Sequence, residues 1–524
     1  MLIYIKNRDI DTEIDLPSSK SESNRALMIM HYAKSQSAID NEKLEIAPFS
    51  HISNLSKSDD TILLEQLLNK INEQSMSSEM IELDCANAGT VFRFLMTAVA
   101  NLQLTINNLQ FTITDKDSDS QISRFSDSQI LRFLITGSDR MKLRPISSLV
   151  DALRNLGVTI EYTERDGYPP VLIKVSKFVG QHPNCDSQFS TFNNKVEVSV
   201  SQSSQFASSL LLAAPTWKDG LELSLTGELS SLPYIDMTID MMRRCGIDVK
   251  RNDRTIIVKS GIYKIDNIII EPDWSAAAFW YEMAALSDSA NIFLKNLNIN
   301  SLQADAVVMK IFDDLGVETF SSDGGVVIRR SQGRRVARSQ GRKVAGSQGR
   351  RVARSQGLKS IVNSQQLINF TGQQIFNCQF STFNFMDCPD LFPSVIAACA
   401  GLKVNATFTG LKNLSIKESD RKIAMINELK KINISFDEIS EDVIRMRCPE
   451  TLPYFTEENP IIFKNYGDHR IAMALSILSL KIGAIEMENP EVVSKSYPGF
   501  FKTLGDFYKS SKLTSISLSD SRLI

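Results

Sequence analysis

The chain has 524 residues, of which 43% are hydrophobic and 23% are charged, and its net charge is −3. A chain of this length is too large for one ordinary hydrophobic core, so we expect two domains. The composition is typical of a globular protein, and it argues against a disordered chain and against a chain that spans a membrane.

The N-terminal segment and the cysteines predict the compartment. The first 15 residues carry charges from Lys6 onward and lack a long apolar core, so we expect no secretory signal. The seven cysteines include no C-x-x-C pair, and the four histidines are not spaced as ligand pairs. We therefore expect a cytoplasmic protein with reduced thiols and no bound metal.

The first strong motif is Leu16–Arg25, LPSSKSESNR, which directly precedes the apolar run Ala26–Met30. This order predicts a helix whose N-terminus carries Lys20 and Arg25. A helix N-terminus offers unpaired N–H groups and a partial positive charge, so two added cations favour the binding of a phosphate or a carboxylate.

Two later segments repeat this chemistry. Cys85–Leu95, CANAGTVFRFL, predicts another helix start, with Arg93 one turn inside the helix. Thr136–Ile146, TGSDRMKLRPI, places three cations at alternate positions from Arg140 to Arg144. Like charges this close repel one another unless an anion or acidic side chains compensate them, so this turn also favours an anion.

Three further segments carry polar groups at predicted helix starts or turns. Ser199–Pro215 places a Ser-Ser-Gln triplet ahead of an amphipathic helix, where hydroxyl groups commonly serve as caps. Ser231 and Tyr234 follow in SSLPYIDMT. The segment Glu271–Trp280, EPDWSAAAFW, comes next. Ser301–Asp305, SLQAD, follows it, and we assign this second segment no direct role.

One unit recurs along the chain: an amphipathic helix, a stop typical of a left-handed residue, and a β-branched strand. The copies are Asp151–Tyr162, Met241–Lys259, Lys310–Ile328 and Ile426–Arg447. Glycine provides the stop in the first three copies, and Asn433 provides it in the last. A repeated helix-and-strand unit predicts an α/β architecture built by duplication.

A low-complexity tract with a period of eight residues, beginning SQGRRVAR, runs from residue 331 to 362. Arg329–Arg354 holds ten basic residues, so the rest of the chain has 48 basic against 61 acidic residues, a net charge of −13. Related Ser-Gln phrases occur at Asp119–Phe133, Asp186–Asn193 and Asn377–Asn384. We interpret all of them as insertions at surface connections. The alternative for the tract is an arm that binds nucleic acid, but the tract lacks interleaved aromatic residues.

The densest cluster of charged residues lies near the C-terminal end. Asp390 follows a proline at a predicted helix start in MDCPDLFPSV. Within GLKNLSIKESDRKIAM, Lys417 and Arg421 are four residues apart and Glu418 is adjacent, so a helix start would display all three along one turn. The segment YGDHRIAM then adds an Asp-His-Arg triplet at another helix start, and SKSYPGFF adds Lys495.

In this order, the motifs resemble those of the EPSP synthase family of enolpyruvyl transferases. LPSSKSESNRAL is similar to the family's N-terminal signature, with Ser18 in place of the usual glycine. CANAGTVFR resembles its GNAGT-x-x-R element, and NLSIKESDR resembles its N-x-x-x-K-E-[ST]-D-R element. YGDHR is similar to its N-D-H-R element, with Gly467 in place of asparagine.

The resemblance implies an α/β fold, namely a two-domain inside-out α/β barrel built from repeated βαβαββ units. It implies a first domain of residues 18–270 and a second domain of residues 1–17 plus 271–524, with the basic insertion at 331–362 inside the second. The implied reaction transfers the enolpyruvyl group of phosphoenolpyruvate to the 5-hydroxyl of shikimate 3-phosphate and requires no cofactor.

The resemblance also implies roles for particular residues. Asp390 would be the general base, whereas Lys20 and Glu418 both stay candidates for proton transfer at the methylene carbon. The implied ligands of shikimate 3-phosphate are Lys20, Ser21, Arg25, Ser203, Ser204, Gln205, Ser231, Tyr234, Asp390, Asn413 and Lys417. Those of phosphoenolpyruvate are Lys20, Asn87, Gly89, Arg140, Gln205, Arg421, Arg470 and Lys495.

Two alternatives remain open at this stage. One is the sister enolpyruvyl transferase that acts on UDP-N-acetylglucosamine, although that family carries K-x-x-N-A near its start and a loop cysteine. The other is a protein that binds nucleic acid through the basic tract. We expect two small-molecule substrates, no nucleic-acid or membrane partner, and a monomer. Because the gathered cations would repel one another, we also expect the domains to close upon binding anions.

Overall fold

The computed structural model describes residues 1–39, 51–74, 80–113, 130–176, 194–331 and 380–505. Within these ranges the chain forms 14 α-helices and 21 β-strands. The helices are α1 (Lys20–Ile39), α2 (Asp59–Gln74), α3 (Gly89–Ile113), α4 (Asp139–Lys142), α5 (Ser147–Asn155), α6 (Gln205–Ala213), α7 (Leu232–Arg244), α8 (Trp274–Leu286), α9 (Val308–Asp313), α10 (Phe392–Leu402), α11 (Arg421–Lys430), α12 (His469–Ile477), α13 (Ser479–Ile482) and α14 (Phe500–Gly505). The strands are β1 (Leu2–Ile3), β2 (Asp9–Ile14), β3 (Ile52–Ser53), β4 (Met80–Asp84), β5 (Ile130–Thr136), β6 (Thr159–Tyr162), β7 (Val171–Ser176), β8 (Lys195–Ser199), β9 (Leu221–Thr226), β10 (Val249–Asn252), β11 (Thr255–Val258), β12 (Ile268–Ile269), β13 (Ser289–Lys295), β14 (Val317–Ser322), β15 (Gly325–Arg330), β16 (Ser381–Asn384), β17 (Ala406–Thr409), β18 (Ser435–Ser440), β19 (Val443–Arg447), β20 (Ile461–Phe463) and β21 (Ile485–Met487).

Four sheets of four strands share one topology. Their strand orders are β4-β5-β7-β6, β8-β9-β11-β10, β2-β13-β15-β14 and β16-β17-β19-β18. In each sheet the first two strands are parallel, and the last two form an antiparallel hairpin that joins the second strand. Parallel neighbours need a crossover connection, and a helix supplies it in each unit. The described part of the chain therefore repeats a strand-helix-strand-helix-hairpin unit.

The repeat predicted from the sequence is confirmed, because each predicted stop ends a helix and leads into the hairpin. The residues at these stops, Gly157, Gly246, Gly316 and Asn433, all have positive φ angles between 64° and 94°. Glycine adopts this left-handed region without steric cost, and asparagine tolerates it better than most residues. The chain direction after each helix is therefore encoded locally.

The third unit is interrupted by a long excursion of the chain. Strand β2 pairs with β13 in parallel, although the two strands are separated by about 280 residues. The chain leaves this unit after Leu16 and returns at Glu271. At the crossover, the Ser19 N–H donates to the Glu271 carbonyl at 2.8 Å, and the Asp273 N–H donates to the Pro17 carbonyl at 2.8 Å. Two antiparallel segments thus join the parts of the protein.

The buried apolar side chains form two separate cores. One core takes its residues from the range 26–270 and is covered by α1, α3, α6 and α7. The other core combines residues 3–16 with residues 274–504 and centres on α8, α10 and α12. Since hydrophobic burial is the main driving force of folding, each core can stabilise its own set of sheets.

Two of the Ser-Gln phrases end in a β-strand of a sheet. Their interpretation as surface insertions is therefore wrong for those C-terminal ends. The last four residues of Asp119–Phe133 begin β5, and Phe133 is fully buried between β4 and β7. The last four residues of Asn377–Asn384 form β16, with Phe383 in the second core. The apolar residues in these phrases alternate, as expected for a strand. We misinterpreted them because they share the Ser-Gln dipeptide with the basic tract. Asp186–Asn193 and residues 332–362 lie outside the described residues.

Five cysteines lie in the described residues, and all five are free thiols: Cys85, Cys245, Cys388, Cys399 and Cys448. Four of them are buried, and burial raises the pKa of each of those thiols above its ordinary value. They behave as small apolar side chains of the two cores.

Candidate active site

The first core contributes three neighbouring helix starts. Lys20 begins α1, Gly89 begins α3 and Gln205 begins α6. Side-chain bonds fasten these helices together near their starts: Arg25 of α1 donates to the Ser208 hydroxyl of α6 at 3.4 Å, and Arg93 of α3 donates to Gln205 at 2.7 Å. The unpaired N–H groups of these helix starts and the cations beside them therefore lie in one region.

The second core contributes its charged residues at helix starts as well. Asp390 lies in the 3-10 turn Pro389–Leu391, directly before α10. Arg421 begins α11, which is capped by the Asp420 carboxylate. The Asp468 carboxylate caps α12 by accepting from the Arg470 N–H at 3.0 Å. The caps satisfy backbone donors and hold each arginine at a fixed place on its helix.

Asp390 lies among three cations. Its Oδ1 accepts from Arg421 Nη1 at 2.6 Å and lies 3.6 Å from Lys417 Nζ, and its Oδ2 accepts from Arg470 Nη2 at 2.9 Å. Burial alone would raise the pKa of Asp390, but Arg470, Lys417 and Arg421 outweigh burial and hold the pKa well below its ordinary range. Asp390 is therefore a carboxylate whose charge is fully compensated.

Glu418 is a second carboxylate that accepts from Arg421, and it also lies among three cations. Its Oε2 accepts from Arg421 Nη2 at 2.9 Å, and its Oε1 lies 3.6 Å from Lys495 Nζ and 3.9 Å from Arg144 Nη2. Burial opposes ionisation, but Lys495 and Arg421 hold the pKa of Glu418 well below its ordinary range.

Arg421 connects these carboxylates to a third one. Its Nε donates to Asp468 Oδ2 at 2.8 Å, so the guanidinium of this side chain contacts Asp468, Asp390 and Glu418 at once. Only 1% of the Arg421 side chain is exposed. Burial would lower its pKa, but the three carboxylates raise it well above the ordinary value. The self-repulsion expected of gathered cations is thus offset by acidic side chains within the site.

Contacts between the two cores close the site from both sides. Arg140 donates from Nε to the Lys417 carbonyl at 3.0 Å and from Nη2 to the Ser415 carbonyl at 2.7 Å. In the opposite direction, Lys495 Nζ donates to the Asn87 carbonyl at 2.9 Å. The structure therefore brings cations from distant parts of the sequence into one cluster.

A second pair of contacts joins the cores farther along the same interface. Asn413 Nδ2 donates to the Ser230 hydroxyl at 3.1 Å. The Ser231 N–H and hydroxyl lie 3.2 and 3.5 Å from the Met386 carbonyl, just ahead of Asp390 in the second core. Ser231 adopts a left-handed conformation at the start of α7, with φ of 55°.

Lys20 and Arg25 differ in how they reach the site. Lys20 Nζ donates to Asp60 at 3.0 Å, and its pKa is raised because Asp60 and Glu418 together outweigh the effect of burial. Arg25 is 1% exposed. Its guanidinium donates hydrogen bonds within the first core, to the Thr238 and Ser208 hydroxyls and to two carbonyls. Burial lowers the pKa of Arg25 to about 10. Arg25 thus lies beneath the helix starts.

The remaining predicted residues surround these groups. Ser203 accepts from the Gln205 N–H at 3.2 Å, and buried Ser204 precedes α6. Ser21 lies in the first turn of α1, where its carbonyl accepts from Arg25. Burial together with Asp305 and Asp390 raises the pKa of Tyr234 well above its ordinary value. Every residue of the predicted site therefore lies in the described part of the chain.

Sequence reasoning missed four residues that the geometry makes central: Arg93, Arg144, Asp60 and Asp468. Arg93 and Arg144 were visible as charges in their motifs, but nothing in the sequence indicated that both would be buried against Gly89. A Cβ atom built on Gly89 would lie 2.5 Å from Arg144 Nη1 and 2.7 Å from Arg93 Nη1. Lys20 and Asp60 are 40 residues apart in the sequence, so no local sequence pattern indicates that they form an ion pair.

His469 lies in this cluster, with its Nδ1 3.9 Å from Asp468 Oδ1. It is 1% exposed, and neither ring nitrogen makes a hydrogen bond in that part of the chain. Burial, together with the nearby Lys20 and Arg470, holds the pKa of His469 well below its ordinary value. The imidazole is therefore neutral.

In the described part of the chain, no group of three or more His, Cys, Asp or Glu side chains is arranged to hold a metal ion. Among the same residues, no helix has the length and hydropathy that crossing a membrane requires.

An α/β protein that collects lysines and arginines from two cores around buried carboxylates belongs to the class of enzymes that bind small polyanionic metabolites. A sequence model of the family described as EPSP synthase (3-phosphoshikimate 1-carboxyvinyltransferase) matches residues 5–504. The chain therefore belongs to the EPSP synthase family.

Individual relatives agree with this assignment. The 3-phosphoshikimate 1-carboxyvinyltransferase of Bacteroides fragilis (strain YCH46) is 31% identical over 504 residues, which cover 94% of this chain and 95% of the relative. That of Sulfurovum sp. (strain NBC37-1) is 27% identical and covers 95% of this chain and 96% of its own. A solved EPSP synthase from Acinetobacter baumannii has the same fold, with a TM-score of 0.59 at 20% identity over 96% of this chain and 97% of that chain.

Proposed function

We propose that this chain transfers the enolpyruvyl group of phosphoenolpyruvate to the 5-hydroxyl of shikimate 3-phosphate. The products are 5-enolpyruvylshikimate 3-phosphate and inorganic phosphate, and the reaction serves chorismate and aromatic amino acid biosynthesis. Membership of the EPSP synthase family and the activity in the relatives' names support this reaction. The observation that carries the proposal is the network of Asp390, Arg421 and Glu418, surrounded by cations of both cores.

In the proposed mechanism, Asp390 takes the proton of the 5-hydroxyl while the oxygen attacks C2 of phosphoenolpyruvate. The methylene carbon receives a proton from Lys20 or Glu418, which gives a tetrahedral intermediate. The bond from C2 to the phosphate oxygen then breaks, and the methyl group returns a proton. The double bond forms again, and the phosphate leaves with the proton that Asp390 had taken. The surrounding lysines and arginines stabilise the phosphate charge throughout, because they are already oriented before the reaction.

The charge network supplies a link between substrate binding and proton transfer. Asp390 has a pKa well below its ordinary range because it is paired with Arg470, Lys417 and Arg421. A carboxylate held in this way is a weak base. When these cations bind the substrate anions in place of Asp390, the pKa of Asp390 rises towards its ordinary value, and the carboxylate becomes a better base. If Lys495 binds a substrate anion in place of Glu418, the pKa of Glu418 would rise in the same way.

The two substrates together carry two phosphates and two carboxylates, which suits a site with many cations. We assign shikimate 3-phosphate to Lys20, Ser21, Arg25, Ser203, Ser204, Gln205, Ser231, Tyr234, Asp390, Asn413 and Lys417. We assign phosphoenolpyruvate to Lys20, Asn87, Gly89, Arg140, Gln205, Arg421, Arg470 and Lys495. Arginine suits a carboxylate or phosphate because its guanidinium can donate two parallel hydrogen bonds. Arg25 would have to exchange one of its present hydrogen bonds for the ligand.

The proposal includes the architecture. Residues 18–270 would form one domain and residues 1–17 plus 271–524 the other, as halves of an inside-out α/β barrel that close on the substrates. Two separate cores and four sheets of equal topology support this division. The enzyme would use no metal or organic cofactor and bind no nucleic acid. It would act as a cytoplasmic monomer, because one chain provides every residue assigned to the site.

The decisive measurement is phosphate release from phosphoenolpyruvate by the purified full-length chain. We expect release with shikimate 3-phosphate as acceptor and none with shikimate or without acceptor. UDP-N-acetylglucosamine serves as the control acceptor for the sister enzyme. Release with that nucleotide sugar, and none with shikimate 3-phosphate, would contradict the proposal.

A further inference from the structure

Helices α3 and α6 are linked at their starts by a short chain of hydrogen bonds. Arg93 Nη1 donates to Gln205 Oε1 at 2.7 Å, and Gln205 Nε2 donates to Thr90 Oγ1 at 2.6 Å. A guanidinium group can only donate hydrogen bonds, so the amide atom that faces Arg93 must be the oxygen. Arg93 therefore dictates which way round the Gln205 amide lies.

The orientation of this amide matters for an anion. The Gln205 amide nitrogen carries two hydrogens, and the bond to Thr90 uses only one of them. The second hydrogen remains to be donated to an anionic ligand. If the amide were flipped, it would present its oxygen to the anion instead, and the two would repel each other. The side chain by itself has no preference between the two orientations.

We propose that Arg93 is a positioning residue for phosphoenolpyruvate, which it serves by fixing the Gln205 amide with its NH2 group towards the ligand. This inference rests on the proposed function, because it takes phosphoenolpyruvate as the anion that Gln205 contacts. Arg93 acts through Gln205.

The surroundings of Arg93 show that this side chain is held in place firmly enough for the task. Its guanidinium lies over the Phe206 ring, 5.2 Å from the ring centroid, and the side chain is 6% exposed. The absence of a side chain at Gly89 leaves the space that the Arg93 and Arg144 guanidinium groups occupy. Packing and the interaction with the aromatic face fix its position and its plane.

Arg93 also belongs to a buried pair of like charges. Arg144 lies beside it and is 4% exposed, and burial together with Arg144 lowers the pKa of Arg93 to about 9. Within the described residues, Arg93 Nε and Arg144 Nε and Nη2 have no hydrogen-bond partner. Buried charges that are not fully paired are costly, so this pair favours a nearby anion.

The test is a double-mutant cycle with Arg93→Met and Gln205→Met, measured as kcat and as KM for each substrate. We expect Arg93→Met to raise the KM for phosphoenolpyruvate by about tenfold to a hundredfold, the usual range for a lost hydrogen bond to a charged group. The KM for shikimate 3-phosphate should change less than about threefold. In the Gln205→Met background, Arg93→Met should then raise the KM for phosphoenolpyruvate clearly less than it does in the wild type, because the amide that it orients is absent and only its charge is lost.

Arg93→Lys is the conservative variant, because lysine keeps a charged donor for Gln205 Oε1 but loses the planar guanidinium. We expect it to recover most of the affinity for phosphoenolpyruvate. Thr97→Val is the matched control, because Thr97 donates to the Ser209 hydroxyl at 3.0 Å one turn further along the same two helices. It should leave the KM for phosphoenolpyruvate unchanged.

Two outcomes would overturn the inference while leaving the proposed function intact. One is a double mutant whose loss equals the product of the two single losses. The other is a Thr97→Val variant that raises the KM for phosphoenolpyruvate as much as Arg93→Met does, which would reduce Arg93 to a clamp between helices. A wild-type chain that releases no phosphate with shikimate 3-phosphate would overturn the proposed function, and this inference with it.

Discussion

The halves of the site that the two cores contribute differ in how their charges are satisfied. In the second core, Arg421 is matched by three carboxylates, and Asp390 is matched by three cations. In the first core, Arg93 and Arg144 are buried side by side, and several of their N–H groups find no partner among the described residues. An anion must compete with internal carboxylates at the second core, whereas at the first it meets N–H groups that have no hydrogen-bond partner among the described residues.

This comparison separates two tasks. The second core holds its charged groups in a network whose members set one another's pKa values, which suits proton transfer. The first core presents donors around helix starts, which suits the capture of an anion. The predictions below test this division, beginning with the variant that should have the largest effect.

Replacing Asp390 by Asn keeps its shape but removes its charge and its capacity as a base. We expect kcat to fall by about a thousandfold, in line with the usual contribution of a general base, and Asp390→Ala to be at least as severe. Steady-state phosphate release measures the effect. The control is Asp387→Asn, three residues away, where the carboxylate accepts from the Leu232 N–H at 3.3 Å. An Asp390→Asn variant with near-normal kcat would refute the assignment of the base.

Replacing Arg421 by Met tests whether the second core depends on its own charge network. Asp468, Asp390 and Glu418 would each lose one partner, and removing one partner from a buried ion pair typically costs about 3–5 kcal/mol. Urea unfolding should show a loss of this size. Arg447→Met is the matched control, because its ion pair with Asp437 is exposed and should contribute less than about 1 kcal/mol. Equal losses in the two variants would contradict the comparison.

Glu22 lies at the crossover between the cores and provides a prediction about pH. Its carboxylate accepts from the Glu271 N–H at 2.9 Å, and burial raises its pKa from the ordinary 4.5 to about 7. The folded protein therefore binds this proton more tightly than the unfolded chain does. The contribution of Glu22 to the free energy of unfolding falls as pH rises from about 4.5 to about 7, by up to ~3 kcal/mol.

Glu22→Gln should consequently be more stable than the wild type at pH 8 and similar to it at pH 4, as measured by urea unfolding at both values. Glu13→Gln is the control, because Glu13 forms an exposed ion pair with Lys295 and its replacement should not make the protein more stable at pH 8. A Glu22→Gln variant that is less stable at pH 8 would contradict the predicted direction.

Deleting residues 332–356 should have the smallest effect. No residue that we assign to the site lies in this range, so we expect kcat and both KM values to stay within about threefold of the wild type. Retaining Ser331 preserves its backbone bond to the Gly316 carbonyl, which closes the end of β15. Loss of turnover in this variant would show that the tract contributes to the reaction.

The sequence predicted those features that depend on neighbouring residues. The stops at Gly246, Gly316 and Asn433 could be found because a left-handed residue after a helix is a local requirement. The helix starts at Lys20 and Arg421 could be found for the same reason, since capping patterns extend over only a few residues.

Features that depend on distant partners escaped prediction. Asp60 meets Lys20 only because α2 packs against α1, and Arg140 binds carbonyl oxygens of the second core, which no sequence pattern distinguishes. The strands β5 and β16 were missed because their Ser-Gln prefix resembles the basic tract, and composition outweighed the alternating pattern of apolar residues. The partners of Lys20 and Arg140 are decided by tertiary packing, which has no local signature in the sequence.

The interrupted third sheet has a consequence for how the chain is made. Strand β2 leaves the ribosome about 280 residues before its partner β13, and β1 must wait for β21 near the other end of the chain. All residues of the first core emerge within that interval. The nascent chain can therefore complete its first core before β13 emerges, while β1 waits until β21 has been made.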